Sequence, residues 1–289
     1  MEHLRDGDII RPPEEKQVYK KNFQRIAQKM CDAGIATFSW DKRGYGKTKG
    51  SACDYFLQAS DAQAALNMLA SKKELVDSQK IAVFGQSAGV YVACLLAEKK
   101  PPVCAYVLSG GLYSDYKDMM SYNYHRARDY AQKSPENLEW VEKNDLRGMV
   151  LGINLDDMFA AVERGETTFT MEYKGRQWTF PLESSVYSPE YAPKNLFKHI
   201  DRPALVIHGD TDLNVPVGDA EKIEAELRRN GNCNVKRVII KNADHSFQET
   251  APDEDTRIRE RMSLDSLKRP YIEGYYQEMI VYLQERFAK

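Results

Sequence analysis

Gly85-Gln86-Ser87-Ala88-Gly89 stands between an apolar run that ends at Phe84 and a very apolar segment that begins at Ala88. A serine in that place sits on a tight turn from strand to helix, and small residues at 85 and 89 let such a turn close. The turn lifts the Ser87 hydroxyl clear of the strand and holds it near a helix N-terminus, where peptide N–H groups favour developing negative charge. The bland alternative is a glycine-flanked turn with an ordinary capping serine. An isolated serine is a poor nucleophile, so the chemical reading needs a base and an orienting acid, both downstream if the order is Ser, Asp, His.

The chain offers both. Of its five histidines, His3 lies in the tail, His125 in an irregular middle stretch and His199 in a helix-like context. His208 reads as the last residue of a strand. His245 alone sits in a loop after a late strand, where an imidazole can swing over the serine. Three carboxylates compete as its partner. Asp210 and Asp212 follow the strand that ends at His208, and Asp244 precedes His245 directly. Side chains adjacent in sequence rarely present the geometry an orienting acid needs.

These residues require elements to hold them. Residues 20–110 alternate helical and strand patterns. Phe23, Ile26, Ala27 and Met30 recur at helical spacing up to Gly34; residues 35–40 read as a strand, 55–69 as a helix, 80–84 as a strand, 88–98 as a helix halted by Pro101-Pro102, and 103–109 as a strand. The pattern breaks at Gly110-Gly111 and resumes with a strand at 203–208, a helix at 217–229, a strand at 235–240 and a helix at 270–287. Strands alternating with helices predict an α/β fold, a mostly parallel sheet covered on both faces. The loops bearing Ser87, Asp212 and His245 then leave one carboxyl edge of that sheet.

Residues 112–195 do not read as βα units, yet they carry 13 of the 30 aromatic residues. Linkers are poor in aromatics, so this stretch must pack on something. The simplest reading divides the chain into a core of residues 1–111 and 196–289 and a cap of residues 112–195 inserted over the carboxyl edge. The cap would control access and selectivity without supplying acyl-transfer groups. Within it, residues 169–180 alternate around Lys174-Gly175, a hairpin signature. The charged run 253–261 reads as a solvated loop or short helix.

The chain has 289 residues, a hydrophobic share of 42%, a charged share of 29% and a formal net charge of −2. That balance describes an ordinary globular protein and carries no electrostatic case for nucleic acid. The longest apolar stretch, residues 88–97, is far shorter than the roughly 20 residues a membrane span needs. The first 30 residues are charged and show no secretory signal. Five scattered cysteines without CxxC spacing fit reduced thiols, so the expected location is cytoplasmic and no metal or other cofactor is expected.

On these residues the chain resembles the α/β-hydrolase superfamily, from Phe23 to the C-terminus. The family's Asp-x-Arg-Gly-x-Gly-x-Ser loop is matched by Asp41-Lys42-Arg43-Gly44-Tyr45-Gly46-Lys47-Thr48, with threonine where serine is usual. Its nucleophile elbow is matched by Gly85 to Gly89, its acid loop by His208-Gly209-Asp210-Thr211-Asp212-Leu213-Asn214-Val215-Pro216, and its base by His245. The resemblance thus implies Ser87, Asp212 and His245 as catalytic residues and the Ala88 N–H as one oxyanion donor. Asp41 and Arg43 are expected to lock their turn by hydrogen bonds and an ion pair.

The usual second oxyanion donor comes from a strand and His-Gly loop upstream. Here no His-Gly precedes residue 208, and Ile9-Ile10 is the sole candidate strand fragment, so the expectation divides: residues 1–18 or the loop 41–48 supply the donor in an unusual way, or the N-terminal strands are short or missing and the protein is a weak or inactive hydrolase. The expected activity is hydrolysis of a small-molecule carboxylic ester through an acyl-enzyme. A peptidase or acyltransferase with the same triad, and a catalytically silent binding protein of the same fold, are the alternatives. Monomer and homo-oligomer both stay open.

Overall fold

The computed structural model describes residues 13–44, 48–50, 54–182, 192–263 and 268–288. Helix α1 (Pro13–Asp32) and helix α2 (Tyr55–Ser71) precede strand β1 (Ala82–Gln86), helix α3 (Ala88–Glu98) and strand β2 (Ala105–Ser109). A middle region then holds α4 (Tyr116–Gln132), α5 (Pro135–Glu163), the hairpin strands β3 (Thr168–Tyr173) and β4 (Arg176–Pro181), and the short α6 (Pro193–Leu196). The chain closes with β5 (Ala204–Gly209), α7 (Gly218–Arg229), β6 (Val235–Ile240), α8 (Glu254–Met262) and α9 (Glu273–Phe287).

β1, β2, β5 and β6 form a parallel sheet in that order. The two-residue period of a strand sends alternate side chains to opposite faces, and both faces here are apolar. Tyr106, Leu108, Ala204 and Val206 join one buried cluster with residues of α2, α3 and α7. Ala105, Val107, Leu205 and Ile207 join another with residues of α1 and α9. The sheet is therefore covered on both sides, as the alternation of elements implies. Among the described residues no helix is long and apolar enough to cross a membrane.

Residues 35–40 depart from expectation. They are not in a strand; Phe38 and Trp40 are 43% and 47% exposed, and their rings lie 6.0 Å apart. An apolar run supplies the side chains of a strand, but only a neighbouring backbone supplies the ladder, and these residues form none among the described residues. Residues 13–18 also differ: they are helical, within α1. Ile9-Ile10, and with it the expected strand fragment, lies outside the described residues, as does Cys53.

The middle region is mainly helical. Its hairpin pairs Phe169 with Phe180 and Met171 with Trp178. Lys174 (φ 48°) and Gly175 (φ 74°) form the turn, the two positive φ angles that a two-residue type I′ hairpin demands. α5 is broken at Asp145, whose carboxylate accepts the Gly148 N–H at 3.0 Å. The charged run at 253–261 became α8, opened by the Asp253 side chain accepting the Thr256 N–H at 2.8 Å.

Candidate active site

Ser87 occupies the turn between β1 and α3 with φ 53° and ψ −122°. A non-glycine residue at positive φ stores strain of about 1–3 kcal/mol, which persists only where the surroundings impose it. Here they do. The Ser87 N–H donates to the Ser109 carbonyl at 2.9 Å, and the Ser87 carbonyl accepts the Val90 N–H at 2.9 Å. At Gly85 a Cβ would lie 2.4 Å from the Gly89 carbonyl oxygen, so the strand and the helix touch through a residue without a side chain. Gly89 differs from the sequence-based expectation, because a Cβ there would meet nothing within 4 Å. Only the first glycine of the pair is sterically required. Ala88 opens α3, and its N–H is one of those a helix leaves without an intrahelical partner.

The acid and base loops leave the same edge of the sheet. His245 Nδ1 lies 2.7 Å from Asp212 Oδ2. Asp212 Oδ1 accepts the Asn214 N–H at 2.7 Å and the Val215 N–H at 3.0 Å, and its side chain is fully buried. Burial alone would push this carboxyl upward. The charge of His245 and the donors from His208 and His245 outweigh it and hold Asp212 well below the usual carboxylate range. The same pair acts on the imidazole in reverse: burial opposes its charge, but the neighbouring carboxylate prevails and raises His245. With Nδ1 committed to Asp212, His245 Nε2 is buried and, among the described residues, without a hydrogen-bond partner.

Two contacts set His245 beside the serine turn. Gln86 Nε2 donates to the His245 carbonyl at 3.4 Å. Gly110 follows Ser109, the partner of the Ser87 N–H, and has φ +58°; a Cβ there would lie 3.3 Å from His245 Cε1 and 3.4 Å from Nδ1. Gly110 thus lets the imidazole lie against the backbone next to the turn. Sequence alone marked it only as the end of the βα pattern.

The rival carboxylates have other partners or positions. Asp244 Oδ1 accepts the Ser246 and Gln248 N–H groups at 2.7 and 3.0 Å, and its Oδ2 takes Arg269 Nη2 at 2.6 Å. It builds the turn that presents His245. Asp210 is exposed. Arg43 pairs with Asp61 on α2 through two hydrogen bonds of 2.6 and 2.7 Å, so the ion pair expected within the 41–48 loop runs instead to a helix. The two parallel bonds are the bidentate geometry that guanidinium and carboxylate favour. Residues 45–47, part of that loop and of the expected oxyanion sources, lie outside the described residues.

The middle region reaches the acid loop directly. Tyr122 of α4 donates its hydroxyl to the Asp212 carbonyl at 2.8 Å; from outside that region, Arg261 Nη1 of α8 donates to the Leu213 carbonyl at 3.4 Å. Val215 is buried with Met119, Leu155 and Met158, while Leu213 is buried with Tyr130, Val141 and Met149. No periodicity in the sequence announces these contacts.

Residues 18–149 match the family described as serine aminopeptidase, S33, and residues 155–263 match the prolyl oligopeptidase family. Two uncharacterized proteins of Mycobacterium tuberculosis are each 38% identical over 77 residues, 27% of this chain and 27% of their own length. The match therefore spans about a quarter of those curated relatives. An esterase of Pyrococcus furiosus superposes with a TM-score of 0.53 at 17% identity, covering 93% of this chain and 77% of that one. A monoacylglycerol lipase of Paleococcus ferrophilus gives 0.50 at 15% identity, covering 92% and 90%. At such identities the likeness is one of fold.

Proposed function

Because this chain belongs to the α/β-hydrolase superfamily, we propose that it is a serine hydrolase acting on a carboxylic ester, with Ser87 as nucleophile, His245 as base and Asp212 as the orienting acid. The observation that carries this reading is the Asp212–His245 pair at 2.7 Å, which leaves a buried Nε2 without a partner among the described residues, next to a strained serine turn.

In the first half-reaction Ser87 Oγ attacks the ester carbonyl while its proton passes to His245 Nε2. The tetrahedral oxyanion draws on the Ala88 N–H, and Asp212 stabilises the imidazolium. Collapse breaks the bond to the alcohol, which leaves with the proton from Nε2, and Ser87 stays acylated. Water, deprotonated by the same Nε2, then attacks the acyl carbonyl and releases the acid, restoring Ser87. The middle region forms the cap, and its aromatic side chains set which acyl groups enter.

A fluorophosphonate should label Ser87 covalently, and Ser87→Ala should abolish the labelling. Modification at another serine, or none in a folded sample, removes the proposal and leaves a silent binding protein. The matches to two peptidase families favour a second reading, hydrolysis of an amide by the same groups. Paired turnover of nitrophenyl esters of graded chain length and of aminoacyl anilides separates the two. Faster anilide turnover would make the enzyme a peptidase.

A further inference from the structure

The mechanism leaves one buried histidine without a task. His208 ends in the last part of β5, 1% exposed, with Nε2 3.1 Å from Asp212 Oδ2 and 3.3 Å from the Val215 carbonyl. Both neighbours are acceptors, so Nε2 carries the proton. Nδ1 is buried and, among the described residues, without a partner, so the Nε2–H tautomer is the one this geometry accommodates.

A strand-end position in an apolar core is ordinarily filled by an aliphatic residue, and an orphaned ring nitrogen carries a cost. That cost has a counterpart on the other side of the ring. We propose that His208 is a positioning residue for catalysis: its Nε2–H donates to Asp212 Oδ2, sharing with His245 the oxygen that orients the base, and fixes the carboxylate from the rigid end of the sheet.

Asp212 lies in a loop, and among the described residues its Oδ1 is held by N–H groups of that same loop. Those bonds move with the loop. Among the described residues the His208 contact is the one that ties the carboxylate to β5, and the shared Val215 carbonyl draws the far side of the loop to the same ring. The contact has an electrostatic effect as well. A donor on Oδ2 takes part of the negative charge that would otherwise face His245, so it tempers the rise of the base. The other groups facing this pair are Asp244 and Arg261, which act on His245 from the base loop and from α8, and Tyr122, which faces Asp212 from α4. Asp244 is tied to Arg269, and none of these groups touches Oδ2 in the described contacts.

The inference rests on the hydrolase reading for its kinetic consequences but not for its structural ones. In His208→Phe, which fills the volume without a donor, kcat should fall by about tenfold, the rate equivalent of a lost charge-assisted hydrogen bond, with KM little changed. The acid limb of the pH–rate profile should move to higher pH by about half a unit or more. His208→Gln, whose amide reaches a similar place, should restore both.

Two readouts need no turnover. Nitrogen-15 NMR of the unsubstituted protein should show His208 as the Nε2–H form, and the downfield Nδ1 proton of His245 should shift in His208→Phe and return in His208→Gln. An Nδ1–H form of His208, or a His208→Phe protein that loses only thermal stability while the limb and the proton stay put, overturns the inference. So does a His208→Gln protein that behaves like the phenylalanine variant. If fluorophosphonate fails to label the unsubstituted protein, the hydrolase reading falls while the NMR measurements still decide this one.

Discussion

At the scale of single residues, the site is governed by which atoms are already committed. Asp212 Oδ2 is taken by imidazole, Asp244 is taken by Arg269 and by its own turn, and His245 Nε2 has no partner among the described residues. Asp212→Asn should therefore lower kcat by about 10²–10⁴, since an amide offers the wrong tautomer partner, while Asp210→Asn and Asp244→Asn each do much less. A larger loss in either of the latter, measured as kcat/KM on one ester, would move the acid elsewhere. The base must be neutral to accept a proton, and His245 is raised by its carboxylate neighbour. The acid limb of kcat/KM should thus lie above the ordinary imidazole value of about 6.5. A limb at or below that value would mean that the ion pair does not govern the base. Steric need divides the two glycines of the serine turn. Gly85→Ala should unfold the turn or cost about 1–3 kcal/mol or more, because a methyl 2.4 Å from a carbonyl has nowhere to go. Gly89→Ala, in open space, should fold and label as well as the parent. Ser87, Asp212 and His245 were legible because each lies in a loop directly after a strand pattern. Gly110 and the pairing of His208 were not, since nothing local in Gly110-Gly111 or in a strand-end histidine says what lies across the sheet edge.

At the scale of elements, the βα alternation could be read because a sheet covered on both faces needs continuous apolar strands and one-sided helices. The predicted strand 235–240 and helix 88–98 match the observed bounds. Residues 35–40 could not be read, as pairing is a property of two segments, and Phe38 and Trp40 look the same in a ladder or in solvent. The hairpin at Lys174-Gly175 was visible through its turn chemistry, whereas α4 and α5, which pack on each other, show no βα alternation that marks their limits. How the middle region is fastened to the core was equally hidden. Asp219, fully buried in the first turn of α7, accepts the Tyr113 and Ser114 N–H groups at 3.0 Å and the Ser114 hydroxyl at 2.7 Å. A carboxylate there also suits the positive end of the helix dipole. Asp219→Ala strands part-buried donors at the entrance to the middle region and should cost about 1–3 kcal/mol in denaturant unfolding. A change within error would show that the entrance is held by other contacts.

For the molecule as a whole, the buried pair links function to acid stability. Asp212 is held below its ordinary value in the fold, so its contribution is present above the unfolded carboxylate value of about 3.9 and is lost as the pH falls through the folded one. The melting temperature should drop steeply below about pH 4. The drop should be shallower in Asp212→Asn, and parallel curves would show that other carboxylates dominate. The position of Leu213 and Val215 has a different consequence. These side chains flank the acid and are buried among residues of α4 and α5, whereas the clusters covering the sheet contain neither. On the proposed mechanism, the loop that orients the base should then loosen with its neighbours in the middle region earlier than the strands from which it springs. On a temperature ramp, turnover should vanish several degrees before the far-ultraviolet signal of the sheet declines, and brief cooling from that interval should return it. Heat would silence this protein before it unfolds it.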